Sequence, residues 1–268
     1  MSIFKKVIAS VGIGSAKVDT KVKNHYITQG EVLEGVVEIT GGATEQKIES
    51  INLRLMTLYG HEGSDRLTNT VVYSHKVNEP FIISKGERKE IEFSFRVPLD
   101  TPMTMKHPRT GQNVPPVWID TDVDIKNAVD LKDKDYISVE PTETHENIID
   151  AIKIIGFKFR QMENQEAPVY IKTSKPYVQQ FEFLPSFGKY IKKLDELEVY
   201  ILEGEEETTV YFEVDKKSKG TFASIQEKFN LDEHRGYVTF NNKEIINNRR
   251  HVSDRFEQII DSALGFRL

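Results

Sequence analysis

Apolar and polar residues alternate one for one through long stretches of this chain, and a period of two admits strands and little else. Ile51, Leu53 and Leu55 alternate with Asn52, Arg54 and Met56; Ile91, Phe93, Phe95 and Val97 alternate with Glu92, Ser94 and Arg96 before Pro98. A strand patterned this way buries one face and wets the other, so it belongs to an antiparallel sheet covered on one side. Gly30, Gly41-Gly42, Gly63-Ser64 and Lys85-Gly86 punctuate the pattern as turns. They predict strands over 17–27, 32–40, 48–59, 70–77 and 88–97, then a loop over 99–116 rich in Pro, Thr and Gly, then strands over 117–125 and 136–139. Many short strands at this spacing predict a β-sandwich.

The pattern changes near Glu140-Pro141. Thr144 offers an N-cap, Ile148, Ile149, Ile152 and Ile155 take helical spacing, and Gly156 supplies a stop, which together predict a linker helix leading into a second domain. Strands return over 157–163, 169–173 and 178–183. Leu197, Val199 and Ile201 then face Val210, Phe212 and Val214 across a turn at Gly204, as a hairpin. Phe222, Ile225 and Phe229 predict a short helix over 221–231, and a last strand covers 237–240. Val252, Phe256, Ile259, Ile260 and Ala263 line one face of a final amphipathic helix, and Ile3, Phe4, Val7, Ile8 and Val11 do the same for a helix over 2–11. At 268 residues two domains fit the length. The expected fold is all-β, with antiparallel β-sandwich domains over 1–140 and 141–244, short N-terminal and linker helices, and a C-terminal helix within 245–268.

Composition narrows the chemistry. With 36 basic and 42 acidic residues spread along the chain and a net charge of -6, a nucleic-acid interface is not expected, because such proteins concentrate Lys and Arg on one face. Cysteine is absent, which removes disulfides, thiolate nucleophiles and cysteine-ligated metals, and fits a reducing cytoplasm. The apolar stretch Val7–Ile13 after Lys5 and Lys6 is at the short limit for a secretion signal, and Ser2 excludes N-myristoylation.

The charged constellations each meet a structural explanation. Asp120, Asp122 and Asp124 resemble the start of a calcium loop, but Ile125 and Leu131 stand where that loop needs Gly and Glu. Strand alternation instead puts the three acids together on an outer face, as a charged edge or as a contact for a cation or a basic partner. Trp118 shares their outward register, where an exposed Trp can be an interface anchor, the alternatives being a register shifted by one or a ring covered by the next domain. Gly12-Ile13-Gly14 lacks the strand-to-helix setting of a phosphate loop. The seven histidines show no His-Glu-x-x-His spacing, and no serine sits in a Gly-x-Ser-x-Gly elbow. A carboxylate pair suited to glycoside hydrolysis can be assembled only in space. Lys189, Lys192 and Lys193 are followed by Asp195, Glu196 and Glu198, which offset their field. For Val252, Phe256, Ile259 and Ile260 two readings stand: docking on their own domain, or binding a partner or a membrane surface.

Gly30–Gly35, the alternating strand to Tyr59, and Phe93-Ser94-Phe95-Arg96-Val97-Pro98 look like the N-terminal domain of arrestin-like proteins. Val117–Ile125, Asn127–Asp130, Asp133–Ile137, Phe4-Lys5-Lys6 and Ala9–Thr20 narrow this, and Phe181–Pro185 with Leu194–Val199 agree. Together these segments resemble the bacterial sporulation-control protein family, M type, of the stage-zero class. The resemblance implies two arrestin-like sandwiches in a cytoplasmic, non-enzymatic regulator of sporulation that binds other proteins and needs no cofactor. A membrane-surface adaptor is the alternative, a carbohydrate-active enzyme is a more distant one, and a homodimer through a terminal helix or edge strand is a further expectation.

Overall fold

The computed structural model describes residues 16–61, 63–77, 79–216 and 235–264. The expected helices over 2–11 and 221–231 lie outside these residues. The chain divides into two compact units, one holding the described residues to Leu58 and Thr68–Glu140, the other Tyr59–Leu67 and the described residues from Pro141 onward.

The first unit contains β1 (Lys17–Val22), β2 (Tyr26–Thr28), β3 (Val32–Thr40), most of β4 (Gln46–His61) and of β5 (Ser64–Lys76), and β6 (Phe81–Ile83). It continues with β7 (Arg88–Arg96), β8 (Met105–Lys106), β9 (Asn113–Val114), β10 (Val117–Ile125) and β11 (Leu131–Glu140). One sheet runs β1-β3-β7; the other runs β4-β10-β11, with β2 parallel on β11 and with β5 and β6 on β4. The alternating residues do what their spacing demands: Leu33, Val37, Ile39, Phe93 and Phe95 of one sheet, and Ile51, Leu53, Leu55, Ile119, Val123 and Ile137 of the other, are buried. Thr20 of β1 and Thr121 of β10 meet hydroxyl to hydroxyl at 2.7 Å, joining the two layers through a buried polar contact.

Several boundaries differ from the sequence reading. The strand expected over 17–27 is two strands in different sheets, broken where the Asn24 side chain accepts a hydrogen bond from the Tyr26 amide. β5 begins at Ser64, directly after Gly63 turns the chain at a φ of 67°. β11 begins at Leu131 rather than Tyr136, because Lys132 and Lys134 stand opposite Asp122 and Asp120 and extend the ladder with charge pairs that hide the alternation.

The second unit contains α1 (Glu143–Ile154), β12 (Phe157–Glu166), β13 (Tyr177–Pro185), a 3₁₀ turn (Gly188–Tyr190), β14 (Leu194–Glu203) and β15 (Glu207–Lys216). It ends with β16 (Arg235–Asn241), α2 (Asn242–Asn247) and α3 (Arg249–Ala263). Its sheet is an antiparallel meander, β12-β13-β14-β15-β16, with Gly60 of the β4 tip paired to Gln165. The hairpin register is the one expected, Leu197 opposite Val214, Val199 opposite Phe212 and Ile201 opposite Val210. Phe181, Phe183, Leu197, Val199, Val210 and Phe212 form the buried face. Among the described residues that face is covered by α1 and α3. The strand expected over 169–173 is a turn-rich loop between Pro168 and Pro176, neither of which has an amide to give a ladder. Its Ile171 caps Val178 and Tyr200 on the sheet's other face.

α1 is capped by Thr142, not Thr144: the Thr142 hydroxyl accepts from the His145 amide at 3.1 Å, and Thr144 is buried. Gly156 ends the helix as expected, at a φ of 107° that disfavours any side chain, and a Cβ there would stand 2.6 Å from the Phe187 carbonyl oxygen. Gly156→Ala is therefore expected to destabilise the second unit by roughly 2 kcal/mol or more, read as a lower urea midpoint at unchanged slope.

Candidate functional site

The residues singled out on β10 lie on a central strand, flanked by β4 on one side and β11 on the other. This corrects the expectation of a charged edge. Asp120 and Asp122 are kept on the outer face by pairing: the Arg54 guanidinium of β4 is 2.7 Å from Asp120 and 3.6 Å from Asp122, and Lys134 and Lys132 stand opposite them on β11. Asp124 is exposed at the end of the strand, where the register with β4 shifts. No group of three His, Cys, Asp or Glu residues is placed to hold a metal among the described residues.

Trp118 has the outward register expected of it, but only 4% of it reaches solvent. Lys134 lies against it: its Nζ is 3.9 Å from the centre of the Trp118 ring and 4.7 Å from that of Tyr136, clamping both by cation–π attraction. Tyr136 itself is 54% exposed. The outer face of β4, β10 and β11 thus carries a Trp, a Tyr, two Lys and an Arg beside three carboxylates. Trp118 and the acids were legible as outward residues. Arg54, Lys134 and Tyr136 were not singled out, because only strand register brings them there.

The C-terminal helix resolves the choice left open for its apolar stripe. Val252, Phe256 and Ile260 are fully buried, and Ile259 is half-buried, all within the second unit. Phe256 packs against Phe212 at 4.9 Å and Phe240 at 5.8 Å between ring centres. Ile259 fits over Gly236 of β16, where a Cβ would come within 2.4 Å of its Cγ2. Polar contacts lock both ends of α3. The Arg249 guanidinium donates twice to Asn147 Oδ1 of α1, at 2.8 and 2.6 Å, and Asp261 accepts from the buried Tyr190 hydroxyl at 3.0 Å and from Lys189 at 2.5 Å. Of the two readings, docking on its own domain holds and the partner or membrane contact at Val252, Phe256, Ile259 and Ile260 does not, because the stripe is covered by its own sheet. Phe256→Ala should cost about 3–5 kcal/mol in urea unfolding followed by circular dichroism.

Two carboxylate clusters escaped the sequence reading. In the first unit Asp133 accepts from the Thr20 amide at 2.6 Å, and Asp135 beside it is pushed up to about 6 by burial, then by the Asp133 and Asp19 charges. In the second unit burial and a hydrogen-bonded neighbour, Glu182, push Glu196 up to about 7. Arg160 contacts both of these acids, and Gln161 donates to the second oxygen of Glu182 at 2.7 Å. A glycosidase needs two carboxyls about 5 Å or more apart to admit the sugar, and carboxyls hydrogen-bonded to each other, as Glu182 and Glu196 are, do not meet that spacing.

Asp135 generates a pH prediction with a definite sign. Its folded-state affinity for the proton exceeds that of an ordinary carboxyl at 3.8, so folding is favoured while it is protonated and loses that support as pH rises through about 6. Asp135→Asn, which keeps a donor toward Asp133 without the charge, should match the parent's melting temperature near pH 4 and exceed it by roughly 2–5 °C near pH 8.

The fold defines a two-unit, mostly-β protein. The chain belongs to the SpoOM protein family, whose family model matches residues 4–218, so the resemblance read from the sequence is shown. It is 35% identical over 263 residues to the sporulation-control protein spo0M of Bacillus subtilis (strain 168), covering 97% of this chain and 98% of that one. The crystal structure of Spo0M from Bacillus subtilis matches with a TM-score of 0.79 at 30% identity, covering 94% of this chain and 100% of that chain.

Proposed function

We propose that this chain is a non-enzymatic, cytoplasmic regulator of sporulation that acts as an arrestin-like protein-binding scaffold. Its likeness in sequence, over nearly the full length of both chains, to a protein named for sporulation control supports the process. The observation that carries the contact surface is the Trp118–Lys134–Tyr136 clamp beside Arg54 and the Asp120, Asp122 and Asp124 row. Trp, Tyr and Arg dominate binding energy at protein interfaces, and a half-exposed Tyr136 over a covered Trp118 lets a partner displace Lys134 and reach both rings. The docked α3 helix is scaffold in this reading, and no nucleic acid or cofactor takes part.

The test is crosslinking and affinity capture from cells at the onset of sporulation, with the full chain and with a Lys134→Glu, Tyr136→Ser variant. The variant should recover the enriched partner about tenfold less well, the loss of one interface hot spot. Equal recovery by a variant with native circular dichroism would overturn this assignment of the surface. Truncating the last helix is not a useful test, because its stripe is core.

A further inference from the structure

We infer that the loop over 167–176 is a strap on the outer face of the second unit's sheet, closed while the acids beneath it hold a proton and lifted once they are fully ionised. The device is independent of the contact surface proposed above. The loop joins β12 to β13 through a closed neck, where the Ala167 amide donates to the Pro176 carbonyl at 3.0 Å. Within it the Ile171 amide turns back to the Pro168 carbonyl at 2.9 Å, the Lys175 amide turns to the Thr173 hydroxyl at 3.1 Å, and Val169 is fully exposed. Two neighbouring side chains lie on the sheet. Ile171 is buried against Val178 and Tyr200, with Leu202 and Tyr211 beside them. The Tyr170 hydroxyl donates to Glu213 at 2.8 Å, and the Arg235 guanidinium stands 4.3 Å from the centre of the Tyr170 ring. A short loop fastened by side chains rather than by a ladder can open without unfolding the unit.

Strand register gathers like charges at this strap. Glu182 of β13 stands opposite Glu198 of β14, Glu198 opposite Glu213 of β15, and Glu213 opposite Arg235 of β16. The neighbouring row is Gln180, Tyr200, Tyr211 and Tyr237. On the other side Glu196 stands opposite Asp215. The outer acids of the first row have cations: Arg160 of β12 contacts Glu182, and Arg235 donates to Glu213 at 2.9 Å. Glu198, in the middle, accepts from the Tyr200 hydroxyl at 3.1 Å and from Gln180, and among the described residues no ion pair reaches it.

Like charges placed directly opposite weaken a sheet, and burial disfavours the charged form of each acid. Burial, then the Glu213 charge, pushes Glu198 above the usual carboxylate range, and burial, then the Asp195 and Glu213 charges, does the same to Asp215. The strap adds to that burial, because Tyr170 lies on Glu213 and its hydroxyl meets that of Tyr200, the donor to Glu198. Lifting the strap returns water to the row. The closed state therefore holds the Glu198 proton more tightly than the open one. Closure is supported in full below the ordinary carboxyl value and loses that support as pH rises through the raised one. Opening bares Val178, Tyr200 and Leu202 beside the already exposed Tyr237, an apolar and tyrosine-rich surface withheld in acid and presented at neutral pH.

The chain has no cysteine, so Val178→Cys in the full chain places a sole thiol beneath the strap, and Leu202→Cys on β14 is a second reporter should the first fail to fold. Val169→Cys, at a fully exposed position, supplies the intrinsic rate. The experiment is labelling of each with a methanethiosulfonate reagent, protection being the ratio of the exposed to the covered rate. Protection should fall about tenfold between about pH 5 and about pH 8. It should stay level with pH when Glu198→Gln is added, and be about tenfold lower at both pH values when Tyr170→Phe removes the bond to Glu213. Urea below the unfolding transition should leave the ratio unchanged, since a local opening exposes little surface. Protection level with pH in the reporter chain, a pH dependence that survives Glu198→Gln, or a ratio that falls with urea in step with global unfolding would each overturn the inference.

Discussion

A sheet with one apolar face is stable only when something covers that face, and each unit of this protein meets the requirement with a different partner. In the first unit a three-stranded sheet lies over the β4-β10-β11 layer, and the buried Thr20–Thr121 contact fixes one layer on the other. In the second, α1 and α3 cover the meander, and Phe256 fills the space beside Phe212 and Phe240. The positions of the outward residues follow from these inward ones. Once Ile119, Thr121 and Val123 are committed to the core, Trp118, Asp120, Asp122 and Asp124 have only the outer face left to them.

How much of this could be read in advance depends on whether the deciding contacts are local. β10 is legible because the inward Val117, Ile119, Thr121, Val123 and Ile125 alternate with the outward Asp120, Asp122 and Asp124. The hairpin of β14 and β15 is legible because its turn sets the register. β11 is not, since Lys132, Asp133, Lys134 and Asp135 read as a charged loop until Asp122 and Asp120 are placed opposite the two lysines. The cation against Trp118 is hidden for the same reason: Lys134 reaches it through strand pairing. The stripe on α3 shows that an amphipathic helix advertises its apolar face without saying what will cover it. Likewise Tyr59–Leu67 belongs to the second unit through a pairing of Gly60 with Gln165, which no composition shift near residue 60 announces.

The carboxylates that resist ionisation mark where sheet geometry overrides electrostatic comfort. Asp133 and Asp135 lie two apart on one strand, so they share a face, and Asp135 is raised to about 6. Glu182 and Glu196 lie on neighbouring strands, and Glu196 is raised to about 7 despite its contact with Arg160. In both cases burial is the larger cause and the like charge adds to it.

The fit of Ile259 over Gly236 has a bearing on how α3 finds its place. A helix sliding along its own axis by one turn, about 5.4 Å, would bring Arg255 or Ala263 over the glycine instead. The first would carry a guanidinium into an apolar notch and the second would leave the notch unfilled, and either slide would part Asp261 from Tyr190. The missing side chain at Gly236 acts as a keyway cut for one rung of the helix, so the last element of the second unit has a single seating rather than a family of nearby ones.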